Sequence, residues 1–234
     1  MNSENTLWFP ERWPAKHPDR IQLYSLATPN GQKIGIALEE MALTYEAHLI
    51  NIMEGDQHDP SYLKLSPNGK IPTLSDPNGP NGQVLLMESG AILEYLAEKT
   101  GLFFGDDISQ KLTIKQWLYF QMGHIGPMFG QFGHFFKYAK ETCDHPYPVE
   151  RYTKETQRLL QVMDQQLQSH PFIAGTNYSI ADMAIWPWVD CLGAFYNAGD
   201  ALGLAEYQNV QRWSQQIQDR PAVQRGRTVC NIPD

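Results

Sequence analysis

The chain has 234 residues, of which 42% are hydrophobic, enough to bury a large core in one long domain or two modest ones. It carries 18 Lys plus Arg against 26 Asp plus Glu, a net charge of -8, and no dense basic run that would neutralise phosphates, which argues against nucleic acid as a partner. The first twenty residues mix Pro with charges of both signs and lack the apolar core of a signal peptide, and no later apolar run approaches a membrane span, so a soluble cytoplasmic protein is expected.

Residues 1–20 precede the first periodic element. Trp8, Phe9, Trp13 and several Pro read as an ordered arm that packs on a neighbour rather than a free tail. IQLYS, at 21–25, reads as a strand, and the Thr28-Pro29-Asn30-Gly31 turn leads into a helix whose apolar positions are Ile34, Ala37, Leu38 and Met41. A second strand is predicted from Tyr45 to Ile50, then a polar stretch over 51–64, then a strand entered through Ile71-Pro72 and running to Leu74. A Pro-Asn-Gly-rich turn follows, then a short buried strand from Val84 to Met87. Glu88-Ser89-Gly90 then opens a helix with Ala91, Ile92, Tyr95 and Leu96 at helical spacing and Lys99 and Gly101 as stop signals. The order βαβ then ββα, with a proline at the start of the third strand, resembles the thioredoxin fold.

Beyond Gly101 the periods become helical through to about Arg220. A helix starts near Ser109 with Leu112, Trp117 and Phe120 inward. Gly123, Gly126-Pro127, Gly130 and Gly133 then predict a kink or break. The aromatics Phe129, Phe132, Phe135, Phe136 and Tyr138 suit either plain core or a ligand cleft. A further helix spans about Pro148 to Ser169, and Tyr178-Ser179-Ile180-Ala181-Asp182 is a structural capping signature, with Tyr178 placed to staple onto Met183. The resulting division is an arm over 1–20, a thioredoxin-like α/β domain over 21–101, a linker over 102–108 and an all-helical domain over 109–228. Cys143, Cys191 and Cys230 are widely spaced, with no CxxC pair and no ligand spacing to nearby His, so neither a disulfide framework nor a metal site is expected.

Two segments carry chemistry. The Ile71-Pro72 step, in a cis isomer, makes a turn tight enough to present the Ile71 backbone to a peptide-like ligand. About fifteen residues on, Ser89 at a helix start suits a carboxylate and Glu88 suits an ammonium. Glu-Ser alone is what any capped helix shows; joined to Pro72 at this spacing it reads as a grip on one free amino-acid terminus.

ESGAILEYLAEKTG and NYSIADMAIWPW are the segments by which the chain resembles the soluble glutathione transferase family, over residues 21 to about 228. LYSLATPNGQK, FGHFFKYA and VERYTKETQRL are most similar to its Nu class, whose members act on disulfides with glutathione. The resemblance implies that Ile71 pairs its backbone with the cysteinyl unit, Glu88 and Ser89 hold the γ-glutamyl end, and Gln57 and Lys70 lie at the glycyl end. It implies that Arg151 reaches a second glutathione beside the first; a solvated helix charge is the alternative at that position. It also implies a homodimer.

Most family members place a Tyr, Ser or Cys at the first strand-to-helix junction. Here no Cys precedes position 143, which excludes a mixed-disulfide enzyme using its own thiol in the first domain. Thr28 at the N-cap, the Asn30 amide and the free N–H groups of the helix start are the candidates for stabilising a ligand thiolate. The TPNG tetrapeptide by itself is also an ordinary turn and cap. The expected activity is glutathione-dependent reduction of a small-molecule disulfide, with two glutathiones per site and no metal. The alternatives are conjugation of an electrophile, or a non-catalytic glutathione-binding regulatory protein.

Overall fold

The computed structural model describes residues 7–233. The chain divides into two compact units, one comprising the residues up to Thr100 together with those from Pro221, the other spanning Gly101–Arg220.

The first unit is a four-stranded mixed sheet with helices: β1 (Ile21–Ser25), α1 (Pro29–Glu40), β2 (Tyr45–Leu49), α2 (Pro60–Leu65), β3 (Thr73–Gly79), β4 (Gly82–Met87) and α3 (Ser89–Thr100). The strand order is β2-β1-β3-β4, with β1 and β2 parallel and the other pairs antiparallel, the expected thioredoxin-like arrangement. Central β1 is buried along its whole length, including Gln22. That amide is satisfied: its Nε2 donates to the carbonyls of His17 and Arg20, and its Oε1 meets His48 Nε2 at 2.8 Å.

Three readings of this unit need correction. The polar stretch 51–64 contains a single 3₁₀ turn, Asp56–His58, and α2, which starts because Asp59 accepts from Ser61 N–H at 2.8 Å and Pro60 takes N1. The Pro-Asn-Gly run is strand more than turn, since β3 reaches Gly79 through a bulge between Asp76 and Gly79. There Asp76 accepts from Lys99 and the Tyr95 hydroxyl. Burial alone would raise its carboxyl, but these bonds hold it below the ordinary range. Lastly, Val84–Met87 is not buried: β4 is an edge strand, with Leu85 and Met87 exposed.

Residues 1–6 of the arm lie outside the described residues. Its remainder packs on its own unit. Trp8 and Trp13 rest on the cluster of Tyr24, Ile50, Tyr62 and Leu65; Arg12 reaches Asp56 at 2.6 Å; and Glu46 accepts from the Lys16 and His17 amides.

The second unit is helical: α4 (Ile108–Phe120), α5 (Gly126–Gly133), α6 (Tyr147–Gln168), α7 (Ile180–Ala194), α8 (Gly199–Leu202) and α9 (Gln208–Gln218). Along α4 the buried side chains are Ile114 and Leu118, while Leu112, expected inward, is 55% exposed. The predicted break at Gly126-Pro127 is instead a π turn, Gln121–Ile125, closed by Gly126 N–H to the Gln121 carbonyl. The wider turn absorbs the N–H that Pro127 lacks without interrupting the helix. A second π turn covers His134–Tyr138. Of the aromatic run, Phe129 and Phe132 are core, and Phe135, Phe136 and Tyr138 are not. Asp182 links Ser179, Ile173 and Trp213 at the start of α7. Tyr178 packs on Phe103 and Phe172.

The helical unit ends at Arg220, short of the expected Thr228. From Pro221 the chain forms α10 (Pro221–Gly226), which packs on α1. Gly35 and Gly226 permit the approach, since a Cβ on Gly226 would lie 2.5 Å from the backbone of Ile36. Arg225 then pairs with Glu39, and the Cys230 carbonyl accepts from Ala27 N–H just before the TPNG turn.

Candidate functional site

The third-strand entry is clamped from below. The Tyr62 hydroxyl and the Ser66 hydroxyl both donate to the Lys70 carbonyl at 2.9 Å, and Lys70 N–H donates back to Ser66 Oγ. The next peptide, Ile71-Pro72, is cis, as the turn requires. Sheet pairing begins only at Thr73, so Ile71 stands ahead of the ladder. Tyr62 was not legible as a site residue, because it sits in the 51–64 stretch read as polar connection, and Ser66, just beyond it, was not singled out.

At the end of β4, Glu88 takes the left-handed conformation at φ 69°. For a residue with a Cβ this costs about 1–3 kcal/mol, the kind of strain held where side-chain direction matters. Glu88 is exposed and Ser89 is buried. Behind Ser89 lies Lys33, completely buried on α1, with Nζ 3.2 Å from Ser89 Oγ. Burial pushes the Lys33 amine down to about 7, and the Glu88 charge pulls it the other way. Sequence reasoning missed Lys33. The available signal was its place four residues before Ala37, on the apolar stripe of α1.

The α1 start is set by close approach. A Cβ at Gly31 would fall 1.8 Å from the Leu26 carbonyl, so only glycine lets the helix abut the end of β1. Gly31 is therefore a helix residue and not a turn glycine. Pro29 occupies N1 as expected. Thr28 holds the N-cap position but its side chain makes no capping hydrogen bond, a departure from the expected cap. The extended Thr28 backbone turns its N–H to Leu26 and accepts Gln32 N–H.

These segments enclose a cavity of about 290 Å³ lined by Asn30, Lys70, Ile71, Glu88 and Ser89, with Ser66, Asn68, Pro72 and Met87 completing it. Five of the eight residues singled out in the sequence thus meet in one place. Thr28 and Gln57 do not line it; Gln57 lies in the 3₁₀ turn, its carbonyl close to Gly69. Arg151 is in the second unit, exposed on α6 in a groove of about 280 Å³ with Lys154, Arg158, Glu150, Glu155 and Tyr147. The first cavity offers an anion acceptor and a hydroxyl for one amino-acid terminus, an unladdered backbone for a peptide, and a helix start for a negative atom. That suits a short peptide with a free terminus.

Cys230 changes one argument. The absence of cysteine before position 143 does not keep thiols out of the first unit, because the tail brings Cys230 there. Its thiol faces the His48 carbonyl at 3.5 Å, and burial pushes it up to about 12, far from a nucleophilic thiolate.

The Glutathione S-transferase N-terminal domain matches residues 27–99, and the Glutathione S-transferase C-terminal domain matches residues 126–221. The chain is 45% identical to the disulfide-bond oxidoreductase YghU of Escherichia coli, over 92% of this chain and 75% of that protein. Among solved structures it is similar to a glutathione transferase from Pseudomonas putida with one glutathione disulfide bound per subunit (49% identity, TM-score 0.91, covering 95% of this chain and 96% of the other). It is likewise similar to one from Burkholderia graminis with two glutathione molecules per subunit (49% identity, TM-score 0.92, covering 93% and 91%). With a mixed sheet carrying the cavity, a helical second unit and matches along most of its length, the chain belongs to the glutathione transferase family.

Proposed function

We propose that the protein is a glutathione-dependent disulfide-bond reductase of the Nu class, working as a cytoplasmic homodimer. The observation that carries this reading is the single cavity in which Asn30, at the start of α1, faces the same space as Ile71, Glu88 and Ser89. Glu88 and Ser89 take the γ-glutamyl end, Ile71 the cysteinyl unit, and Gln57 and Lys70 the glycyl end. The thiol then lies over the α1 start. A helix terminus supplies up to about 2 kcal/mol and each hydrogen bond to a charged acceptor about 1.5–3 kcal/mol, enough to bring a thiol of pKa about 8.5 to neutrality or below.

The glutathione thiolate attacks one sulfur of the disulfide substrate, forming a mixed disulfide and releasing one substrate thiolate. The thiolate of a second glutathione attacks the glutathione sulfur, forming glutathione disulfide and releasing the other substrate thiolate. Both released thiolates take protons from water, so two glutathiones supply the two electrons. Arg151 on α6 is the proposed contact of the second glutathione. The two ligand states of the related structures, two glutathiones in one and their disulfide in another, are the reactant and product of this scheme and support it.

The test is reduction of 2-hydroxyethyl disulfide by glutathione, coupled to glutathione reductase, beside conjugation of a standard aryl halide. Fast reduction with weak conjugation is expected. The reverse ranking would favour the conjugating enzyme, and silence in both would leave a binding protein.

A further inference from the structure

We infer that Lys33 is a positioning residue for the bound amino-acid terminus: its ammonium donates to Ser89 Oγ from inside the fold and directs the Ser89 hydroxyl proton outward, onto the ligand carboxylate. The inference rests on the glutathione reading above. Lys33 is completely buried, and its Nζ lies 3.2 Å from Ser89 Oγ, which lines the cavity.

A serine hydroxyl has one donor and two acceptor lone pairs. An ammonium can only donate, so Ser89 must accept from Lys33 and keeps its own proton for another acceptor. A neutral amine has a lone pair; it can draw the Ser89 proton inward and turn the oxygen lone pairs toward the cavity, where they repel a carboxylate. The charge state of Lys33 therefore selects between a Ser89 that holds a carboxylate and one that does not. The geometry already places the switch, and the amine's value of about 7 makes both forms accessible near neutrality.

Glu88, ahead of α3, is a charge that acts on Lys33. Farther along α3, Lys99 is engaged by Asp76, and Glu94 and Glu98 lie off the buried face. On α10, Arg225 is taken by Glu39. A carboxylate bound at Ser89 favours the charged amine, so above neutral pH the ligand binds together with a proton.

The probe is S-methylglutathione, whose blocked thiol cannot ionise, titrated calorimetrically at pH 8 in two buffers of different ionisation enthalpy. Wild type should take up a fraction of a proton on binding. Lys33→Met keeps the length and drops the charge. It should melt no lower than wild type at pH 7, bind the probe about 10-fold or more weakly, and take up no proton. With glutathione and the disulfide substrate, its KM for glutathione should rise while kcat stays within about threefold. Binding by Lys33→Met within about twofold of wild type would overturn the inference, as would the absence of proton uptake by wild type. The second result stands even where the variant fails to fold. Wild type that does not bind the probe at all overturns the glutathione reading itself, an outcome distinct from equal binding by the two proteins.

Discussion

Lys33 in the first unit and Asp182 in the second are both charged side chains buried completely, and the two are held in opposite ways. Asp182, at the third position of α7, accepts from the Ser179 amide and hydroxyl, the Ile173 amide and the Trp213 indole. Burial raises its carboxyl above the ordinary range despite these bonds. All its donors belong to the framework, and together they tie the 172–175 turn, the α7 start and α9 into one core. Lys33 instead meets the Ser89 hydroxyl and the field of Glu88, both at the rim of a cavity. A buried charge ringed by framework donors specifies packing. A buried charge behind cavity side chains sets the electrostatics of whatever enters.

The sharpest way to break this contrast is Asp182→Ala. Four donor groups would be left without their acceptor, at about 1–3 kcal/mol each, and a fall in Tm on the order of 10 °C is expected for a chain this size. Calorimetry showing a shift under about 2 °C would mean that the network is not structural. The next effect belongs to the cavity. Asn30→Ala should cost turnover of the disulfide about 100-fold, the worth of one hydrogen bond to a thiolate, while Tm and glutathione affinity hold. Equal losses of affinity and turnover would make Asn30 a binding residue and not a thiolate donor.

Lys33 gives the contrast a pH signature. Its folded value of about 7 lies below the ~10.4 of an unfolded lysine, so between those values the unfolded chain binds more protons. Stability contributed at this site therefore rises with pH from 7 toward 10, and the buried charge is a cost below 7. Lys33→Met removes that cost, so its advantage over wild type in denaturant should be greatest near pH 6.5 and shrink by pH 9.5. An advantage that grows with pH would contradict the assignment.

Much of this was legible in the sequence because local chemistry agreed with tertiary context. Pro29 at N1, Pro72 before β3, and Ser179 three residues ahead of Asp182 each fix their own neighbourhood. The misses share a physical cause: they depend on residues distant in the chain. Lys33 looks like a solvated helix charge until α3 is laid over it, and Cys230 looks remote until Gly35 and Gly226 let α10 dock on α1. Leu112 satisfies the helical period yet faces solvent, because period alone does not say which stripe of α4 finds a partner. In β4 the apolar run VLLM suggests burial, but the strand's edge position leaves alternate residues uncovered.

The smallest expected effect lies at Arg151, where the comparison between cavities is most exacting. The groove on α6 has nearly the volume of the first cavity, about 280 against 290 Å³, but it is built from the side chains of one helix, all exposed except half-buried Glu155. Arg158 there is already committed to Glu155, with nitrogen to oxygen distances of 2.7 and 2.9 Å, which holds the Glu155 carboxyl below its ordinary range. An anion bound in such a place gains less than about 1 kcal/mol from one exposed guanidinium, so Arg151→Ala should weaken the second glutathione about three- to fivefold. Because the contact is in water, the loss should shrink as salt shortens the Debye length from about 10 Å at 0.1 M to about 3 Å at 1 M. The affinity for the first glutathione, backed by buried Lys33 and Ser89, should depend on salt far less. A salt-independent loss at Arg151, or a first site as salt-sensitive as the second, would show that burial does not separate the two.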